Sequence, residues 1–150
     1  MTRRILLLVS GSPESKRAAE LVIPLARALN SQIIAFHVVD VSVARRMRHA
    51  SGKHEHEILV ELEETGWKYL YLVEEMAKDE GVRIVLQQME GFPENKIIEA
   101  AKKFNADIVA IPISSKRGAA MDVGKFVGRA FRELERPILM KFSESLLNIY

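Results

Sequence analysis

The residues best suited to hold a ligand form a short polar turn near the start of the chain. Ser10, Gly11 and Ser12 follow an apolar run at residues 5–9 and precede a segment with helical spacing. A loop that holds phosphate needs small residues, several backbone N–H groups and a helix N-terminus behind it. Ser12 and Pro13 are also the residue types of a helix N-cap and a first helical position. The turn therefore has two interpretations, a phosphate site or a simple helix start.

A second polar group lies between residues 112 and 125. Its small and basic members could form an anion site made of side chains, and arginines from residues 43–53 could approach it. The members are Ser114, Ser115, Lys116, Arg117, Gly118 and Lys125, and the arginines are Arg45, Arg46 and Arg48. The other interpretation is that all of these are solvated loop charges.

Three histidines have the composition of a metal site but not the spacing. His54 and His56 would point away from each other on a helix, so they could not share an ion with His49 there. The absence of cysteine excludes disulfides, thiolate zinc sites and cysteine nucleophiles. No G-x-S-x-G motif occurs, and no catalytic base is recognisable. We predict no metal site and no catalytic residues, and we interpret residues 54–57 as a polar helix start. His37 lies within a strand run and is interpreted as a packed or hydrogen-bonded histidine at the edge of the core.

The elements that position these groups alternate between strand and helix. Apolar runs that predict buried strands cover residues 5–9, 32–39, 82–87, 107–111 and 138–142. Helical spacing predicts helices from Pro13, over 54–80 with Gly81 as the stop, from Pro93 to Asn105, and through Val127, Phe131 and Leu134. Residues 43–53 are predicted as a basic loop. Such alternation predicts a parallel sheet with helices on both faces, and ligands in such sheets bind beyond the carboxyl ends of strands.

The bulk composition indicates one ordinary domain over residues 1–150. Net charge is only +2, which does not point to nucleic acid as a partner. The longest apolar run is far too short to cross a bilayer, so we expect neither a membrane span nor a signal peptide, and a cytoplasmic location.

Two families share motifs with this sequence. SGSPES at residues 10–15 resembles the SGGxDS loop of PP-loop ATP pyrophosphatases, with Ser12 at the second glycine and Glu14 at the acid. A larger resemblance covers nearly the whole chain. ILLLVSGSPES, IIAFHVVD, EGFPENKIIEAAKKFNADIVAI and ERPILMKF resemble the universal stress protein (UspA-like) family in order and spacing.

The second resemblance implies a fold and an assembly. The fold is a three-layer α/β/α sandwich, Rossmann-like and similar to the adenine nucleotide alpha hydrolases, with a five-stranded parallel sheet of order 3-2-1-4-5. The crevice lies between strands one and four, and homodimers form through the exposed fifth strand. The residues of that edge are Pro137, Ile138, Leu139, Met140, Lys141 and Phe142. An uncovered apolar edge strand also favours pairing on general grounds.

ATP-binding members of the family carry G-x-x-G, nine residues and G-[ST] after the fourth strand, and this chain departs from that pattern. Pro112 and Ser115 stand at the two glycines of G-x-x-G, the gap is one residue shorter, and Lys125 replaces the Ser or Thr. Ser10 replaces the acid that ends strand one. Gly124 fits the motif. The other candidate ligand-binding residues carried over by position are Val38, which matches the adenine pocket, and Asp40.

These departures predict a regulatory or protective protein that acts through dimerisation and interaction, with its nucleotide site degraded or repurposed and with no enzymatic turnover. One alternative is a stress protein that binds ATP, AMP or another adenine nucleotide, with Mg²⁺, through a variant loop. A second alternative is a relative of the PP-loop ATP pyrophosphatases.

Overall fold

The computed structural model describes residues 3–113, 123–135 and 138–143 of the chain. Strands and helices alternate, except that two helices follow the second strand. The elements are β1 (Arg4–Leu8), α1 (Pro13–Ala28), β2 (Gln32–Asp40), α2 (Val41–Ser51), α3 (Glu55–Asp79), β3 (Ile84–Gly91), α4 (Pro93–Lys103), β4 (Ile108–Ile113), α5 (Val123–Glu133) and β5 (Ile138–Ser143).

The five strands form one parallel sheet of order β3-β2-β1-β4-β5, which confirms the predicted topology. In its centre Leu6 of β1 lies between Ile34 of β2 and Val109 of β4. The strand order reverses at the β1–β4 pair, because the chain first adds strands on one side of β1 and then on the other. The crevice expected for a ligand therefore lies at the carboxyl ends of β1 and β4.

Each face of the sheet has its own hydrophobic core, because alternate side chains of a strand point to opposite faces. Leu7 and Ile33 pack against α1 and α3, together with Val22 and Val73 of those helices. On the other face Leu6 and Phe36 pack with Ile97 of α4 and Phe126 of α5. This is the predicted three-layer sandwich. No helix of the described part of the chain combines the length and hydropathy needed to cross a membrane.

Local chemistry sets the ends of the helices. Ser12 caps α1 with its side chain, and Pro13 occupies the first turn. Gly81 follows α3 with a φ of 67°, a conformation that favours glycine, and Asn105 follows α4 with a φ of 50°. Both stops lie where the sequence predicts them.

Residues 43–53 are not a loop, so that prediction was wrong. Val41–Ser51 form α2, which ends at Gly52 in the left-handed conformation with a φ of 73°. The helix buries Ala44 alone among its eleven residues, so the sequence shows no apolar stripe. Its start signal is Asp40, whose carboxylate accepts a hydrogen bond from the Ser42 N–H. An acidic residue at the end of an apolar run has no special meaning until the strand is known to end there.

The bounds of two strands and the inner face of one helix also differ from the predictions. β3 covers Ile84–Gly91 rather than 82–87, because it follows β2 to the register pair Asp40↔Gly91 despite its polar residues. β4 continues through Pro112, which is aligned with Phe142 of β5, whereas the pairing of β4 with β1 ends at Ala110. The inner face of α5 carries Phe126 and Ala130, whereas Phe131 is 87% exposed.

Candidate functional site

The turn between β1 and α1 is closed by its own serine hydroxyls. The Ser15 N–H donates to Ser12 Oγ at 3.1 Å, and the Ser10 N–H donates to Ser15 Oγ at 2.8 Å. The Ser12 N–H donates to Ser10 Oγ at 3.3 Å. Three amides that a phosphate-binding loop would offer to its ligand are therefore engaged within the turn. The interpretation of Ser12 and Pro13 as a helix start is confirmed.

A buried carboxylate lies in the same turn. Glu14 is only 5% exposed, and its Oε2 atom has no hydrogen-bond partner among the described residues. A buried charged group without a partner is costly, and the N-terminal dipole of α1 offsets part of that cost. The first turn of α1, which follows the carboxyl end of β1, thus contains a buried acidic residue.

The end of β2 contributes an apolar residue and a capping residue. Val38 is half-buried and packs against the core on the α4 and α5 face of the sheet. The Asp40 carboxylate accepts bonds from the Ser42 N–H at 2.9 Å and from the Ser42 hydroxyl at 2.6 Å. Asp40, a candidate ligand-binding residue, is therefore occupied in starting α2.

The end of β4 brings Pro112 to the same edge of the sheet as the β1–α1 turn. Pro112 is half-buried and aligned with Phe142 of β5. Gly124 and Lys125 lie in the first turn of α5 and are exposed. The remaining candidates on this side lie outside the described residues: Ser114, Ser115, Lys116, Gly118 and, at the dimer edge, Pro137.

The arginines of α2 contact α3. Arg45 Nε lies 3.7 Å and Arg48 Nη1 lies 3.6 Å from carboxylate oxygens of Glu55. Both arginines are more than half exposed, so these pairs contribute little to stability. They orient α2 against α3, a function that the sequence interpretation of a free basic loop did not anticipate.

Residues 54–57 form the polar start of α3, as predicted, whereas His49 lies in the last turn of α2. His54 is the N-cap position and His56 is exposed. In the part of the chain that the structure describes, no three His, Cys, Asp or Glu side chains are grouped to hold a metal ion.

A polar contact beneath α3 involves residues that sequence reasoning only partly found. His37 was expected to be a hydrogen-bonded residue at the edge of the core, and its Nδ1 lies 3.1 Å from Gln88 Nε2. The same Gln88 amide donates to the Glu63 carbonyl oxygen at 3.1 Å. Burial lowers the pKa of His37 to about 4. Gln88, the register partner of His37 on β3, was missed because the predicted third strand ended at residue 87.

Comparison with known proteins assigns the chain to a family. The sequence pattern of the universal stress protein family matches residues 1–140. The chain belongs to the universal stress protein family. A curated member, universal stress protein MJ0531 of Methanocaldococcus jannaschii, is 31% identical over 140 residues, which are 92% of this chain and 81% of that protein.

Solved structures of other universal stress proteins and similar proteins share the fold. Hypothetical protein MJ0577 superposes with a TM-score of 0.71 at 16% identity, over 96% of this chain and 97% of that chain. A universal stress protein family protein from Arabidopsis thaliana with AMP bound gives a TM-score of 0.60 at 17% identity, over 95% and 94%. At these identities the likeness establishes the fold alone.

Proposed function

We propose that this universal stress protein acts through association with itself and with other proteins, in a regulatory or protective role, and does not hold ATP by its triphosphate. The observation that carries the proposal is the closed β1–α1 turn. Its Ser10, Ser12 and Ser15 N–H groups donate to serine hydroxyls of the turn, and the acidic residue Glu14 in the first turn of α1 disfavours an anion at this helix N-terminus.

The sequence after β4 supports the same conclusion. Pro112, at the position of the first family glycine, has no N–H to offer to a phosphate. Lys125 stands in place of a hydroxyl residue at the start of α5. A lysine can neutralise phosphate charge, but it cannot replace the close approach to the main chain that glycine permits.

Association is proposed to occur through β5. This strand pairs with β4 over six residues and is the terminal strand in the sheet order, so among the described residues no strand pairs with its other side, where a second copy could add. A second copy adding its own β5 would extend the sheet across a two-fold axis, as an isologous dimer requires.

Titration with ATP and Mg²⁺ tests the nucleotide part of the proposal. We expect no rise in Tm at millimolar ATP, whereas a working site saturated a hundredfold above its Kd would gain about 2.7 kcal/mol of stability. Glu14→Gln keeps the shape of the side chain and removes its charge, so we expect it to increase ATP affinity. Glu20→Gln, an exposed acid on the same helix, is the matched control and should change nothing.

Repairing the loop tests the same point from the other side. Pro112→Gly with Ser115→Gly restores the two missing glycines, and combination with Glu14→Gln should bind ATP more tightly than either change alone. Micromolar ATP binding by the unmodified protein would overturn the proposal.

A mononucleotide such as AMP is the second candidate ligand. Val38, at the position of the family's adenine pocket, retains a half-buried apolar site at the end of β2. The Arabidopsis thaliana protein has AMP bound, and AMP has no phosphate chain to seat in the turn. Calorimetry with AMP, adenosine and ATP separates the two candidates, since an adenine pocket alone would bind adenosine about as well as AMP.

The pyrophosphatase alternative predicts catalysis and is tested by release of pyrophosphate from ATP. An adenylating enzyme needs the β1–α1 turn to hold phosphate, and the engaged amides of that turn argue against it. Turnover above that of a Ser12→Ala variant would favour the enzyme.

A further inference from the structure

A cavity of about 600 Å³ lies between the β1–α1 turn and helix α3. Its volume is within the range of sites for small organic molecules. One wall is apolar and is formed by Tyr69, Leu72, Val73 and Met76 of α3. The opposite wall is formed by the turn itself, including Gly11.

This cavity shares the β1–α1 turn with the candidate nucleotide site, but its other wall is α3, on the face of the sheet opposite to Val38. Tyr69, Val73 and Met76 belong to the core on the α1 and α3 face of the sheet, whereas Val38 packs into the core on the other face. A ligand here would meet the outer side of the β1–α1 turn, and the proposal does not depend on whether the crevice binds a nucleotide.

The position of Tyr69 connects the two walls. A Cβ atom on Gly11 would lie 2.4 Å from the Tyr69 hydroxyl oxygen, so only glycine lets the tyrosine ring approach the turn. Leu72, which lines the cavity, is 60% exposed. An apolar group in the cavity would cover it.

The charged residues at the mouth of the cavity determine which sign of charge a ligand should carry. Glu75 and Asp79 line the cavity and are four residues apart on α3, so their like charges are neighbours on one helix face. Neither is in an ion pair among the described residues. Among the described residues that line the cavity, Lys16 is the one basic residue. Because two carboxylates outnumber one ammonium group, the cavity mouth favours a ligand with a positive charge.

We infer that the cavity binds a small amphipathic amine, with its apolar body against α3 and its ammonium group at Glu75 and Asp79. The ring of Tyr69 adds an aromatic surface against which the apolar body of the ligand can stack. Nucleotides and other anions are disfavoured by the same pair of carboxylates.

Three probes of matched shape test the inference. Tryptamine, tryptophol and indole-3-propionate share an indole body and differ in carrying a positive, neutral or negative end. We expect ¹H–¹⁵N NMR titration to place tryptamine at Gly11, Tyr69 and Met76, with an affinity about fivefold to tenfold above that of indole-3-propionate.

Two double variants separate the cavity from the general acidity of α3. Glu75→Gln with Asp79→Asn should abolish the preference for tryptamine, since both residues are exposed and their exchange leaves the core intact. Glu63→Gln with Glu64→Gln removes the same charge from the same helix away from the cavity and should leave the preference unchanged.

Each remaining outcome overturns the inference. Equal binding of the three probes would remove the role of the carboxylates. Equal loss of preference in both double variants would indicate diffuse attraction to an acidic helix. Absence of shifts at Gly11 and Tyr69 with every probe would leave the cavity without a small-molecule ligand.

Discussion

Gly66 has no side chain at a position where α3 lies directly against the sheet. A Cβ atom there would stand 2.3 Å from both His37 Nδ1 and Gln88 Nε2, the two atoms that bond to each other beneath the helix. Glycine in a helix interior costs about 1 kcal/mol relative to alanine. Glycine is required here despite that cost, because a Cβ atom would occupy the space of the polar contact between β2, β3 and α3.

We expect Gly66→Ala to lower the free energy of unfolding by about 1–3 kcal/mol, since overpacking outweighs the gain in helix propensity. Urea denaturation measures it. Gly128→Ala in α5 is the control, because its new Cβ would lie 3.5 Å from the nearest atom, the tip of Arg132. That variant should gain about 0.5–1 kcal/mol. Equal stabilisation of both variants would contradict the packing described here.

His37 makes stability depend on pH in a defined direction. Its pKa is about 4 in the folded protein against an ordinary 6.5, so the unfolded chain binds the proton more readily. Stability from this group is therefore complete above pH 6.5 and is lost as the pH falls from 6.5 towards 4. The loss amounts to at most about 3 kcal/mol.

His37→Asn keeps an acceptor close to the position of Nδ1 but cannot titrate. We expect the difference in unfolding free energy between the two proteins to change steadily between pH 7 and pH 4.5, in favour of the variant at low pH. A constant difference over that interval would show that His37 is not held neutral by burial.

At the scale of the element, α2 depends on its first residues. The Asp40 carboxylate bonds both to the Ser42 amide and to the Ser42 hydroxyl, and the helix buries little that could stabilise it otherwise. We expect Asp40→Ala to cost about 1 kcal/mol and Asp40→Asn much less, as for other N-caps. Denaturation of both, with the exposed Glu64→Ala as control, distinguishes a cap from a residue kept for a ligand.

The elements show which signals can be read from sequence. Ser12 with Pro13, Gly81 and Asn105 mark helix ends by chemistry that acts within a few residues, and these ends were predicted. The inner face of α5 was predicted only at Leu134, because the spacing of Val127 and Phe131 is as helical as that of Phe126 and Ala130. Only the packing against the sheet decides between the two stripes.

At the scale of the whole molecule, the sheet order and the crevice position followed from family resemblance and the alternation of elements. Whether the β1–α1 turn can bind phosphate did not follow from the sequence. Whether the amides of the β1–α1 turn are free depends on the rotamers of three serines, and the burial of Glu14 depends on how α1 meets the sheet. Neither property produces a periodic pattern that could be recognised in the sequence.

The proposed dimer can be tested with two proline variants in β5. Successive residues of a strand direct their N–H groups to opposite sides, so Leu139→Pro and Met140→Pro remove one bond to β4 and one outward group. We expect one of them to remain folded by circular dichroism yet sediment near 17.0 kDa, half the mass of the unmodified protein. A monomeric unmodified protein would contradict dimerisation.

The length of strand pairing varies strongly across the sheet. β2 is paired with β3 at eight positions and with β1 at five, whereas β1 and β4 share three. Amide protons of β2, which lies between two partner strands, should therefore exchange with deuterated solvent more slowly than those of the edge strands. The β1–β4 pair has the fewest backbone bonds of the sheet, so its cohesion depends on the two cores, both of which contain residues of β1 and of β4.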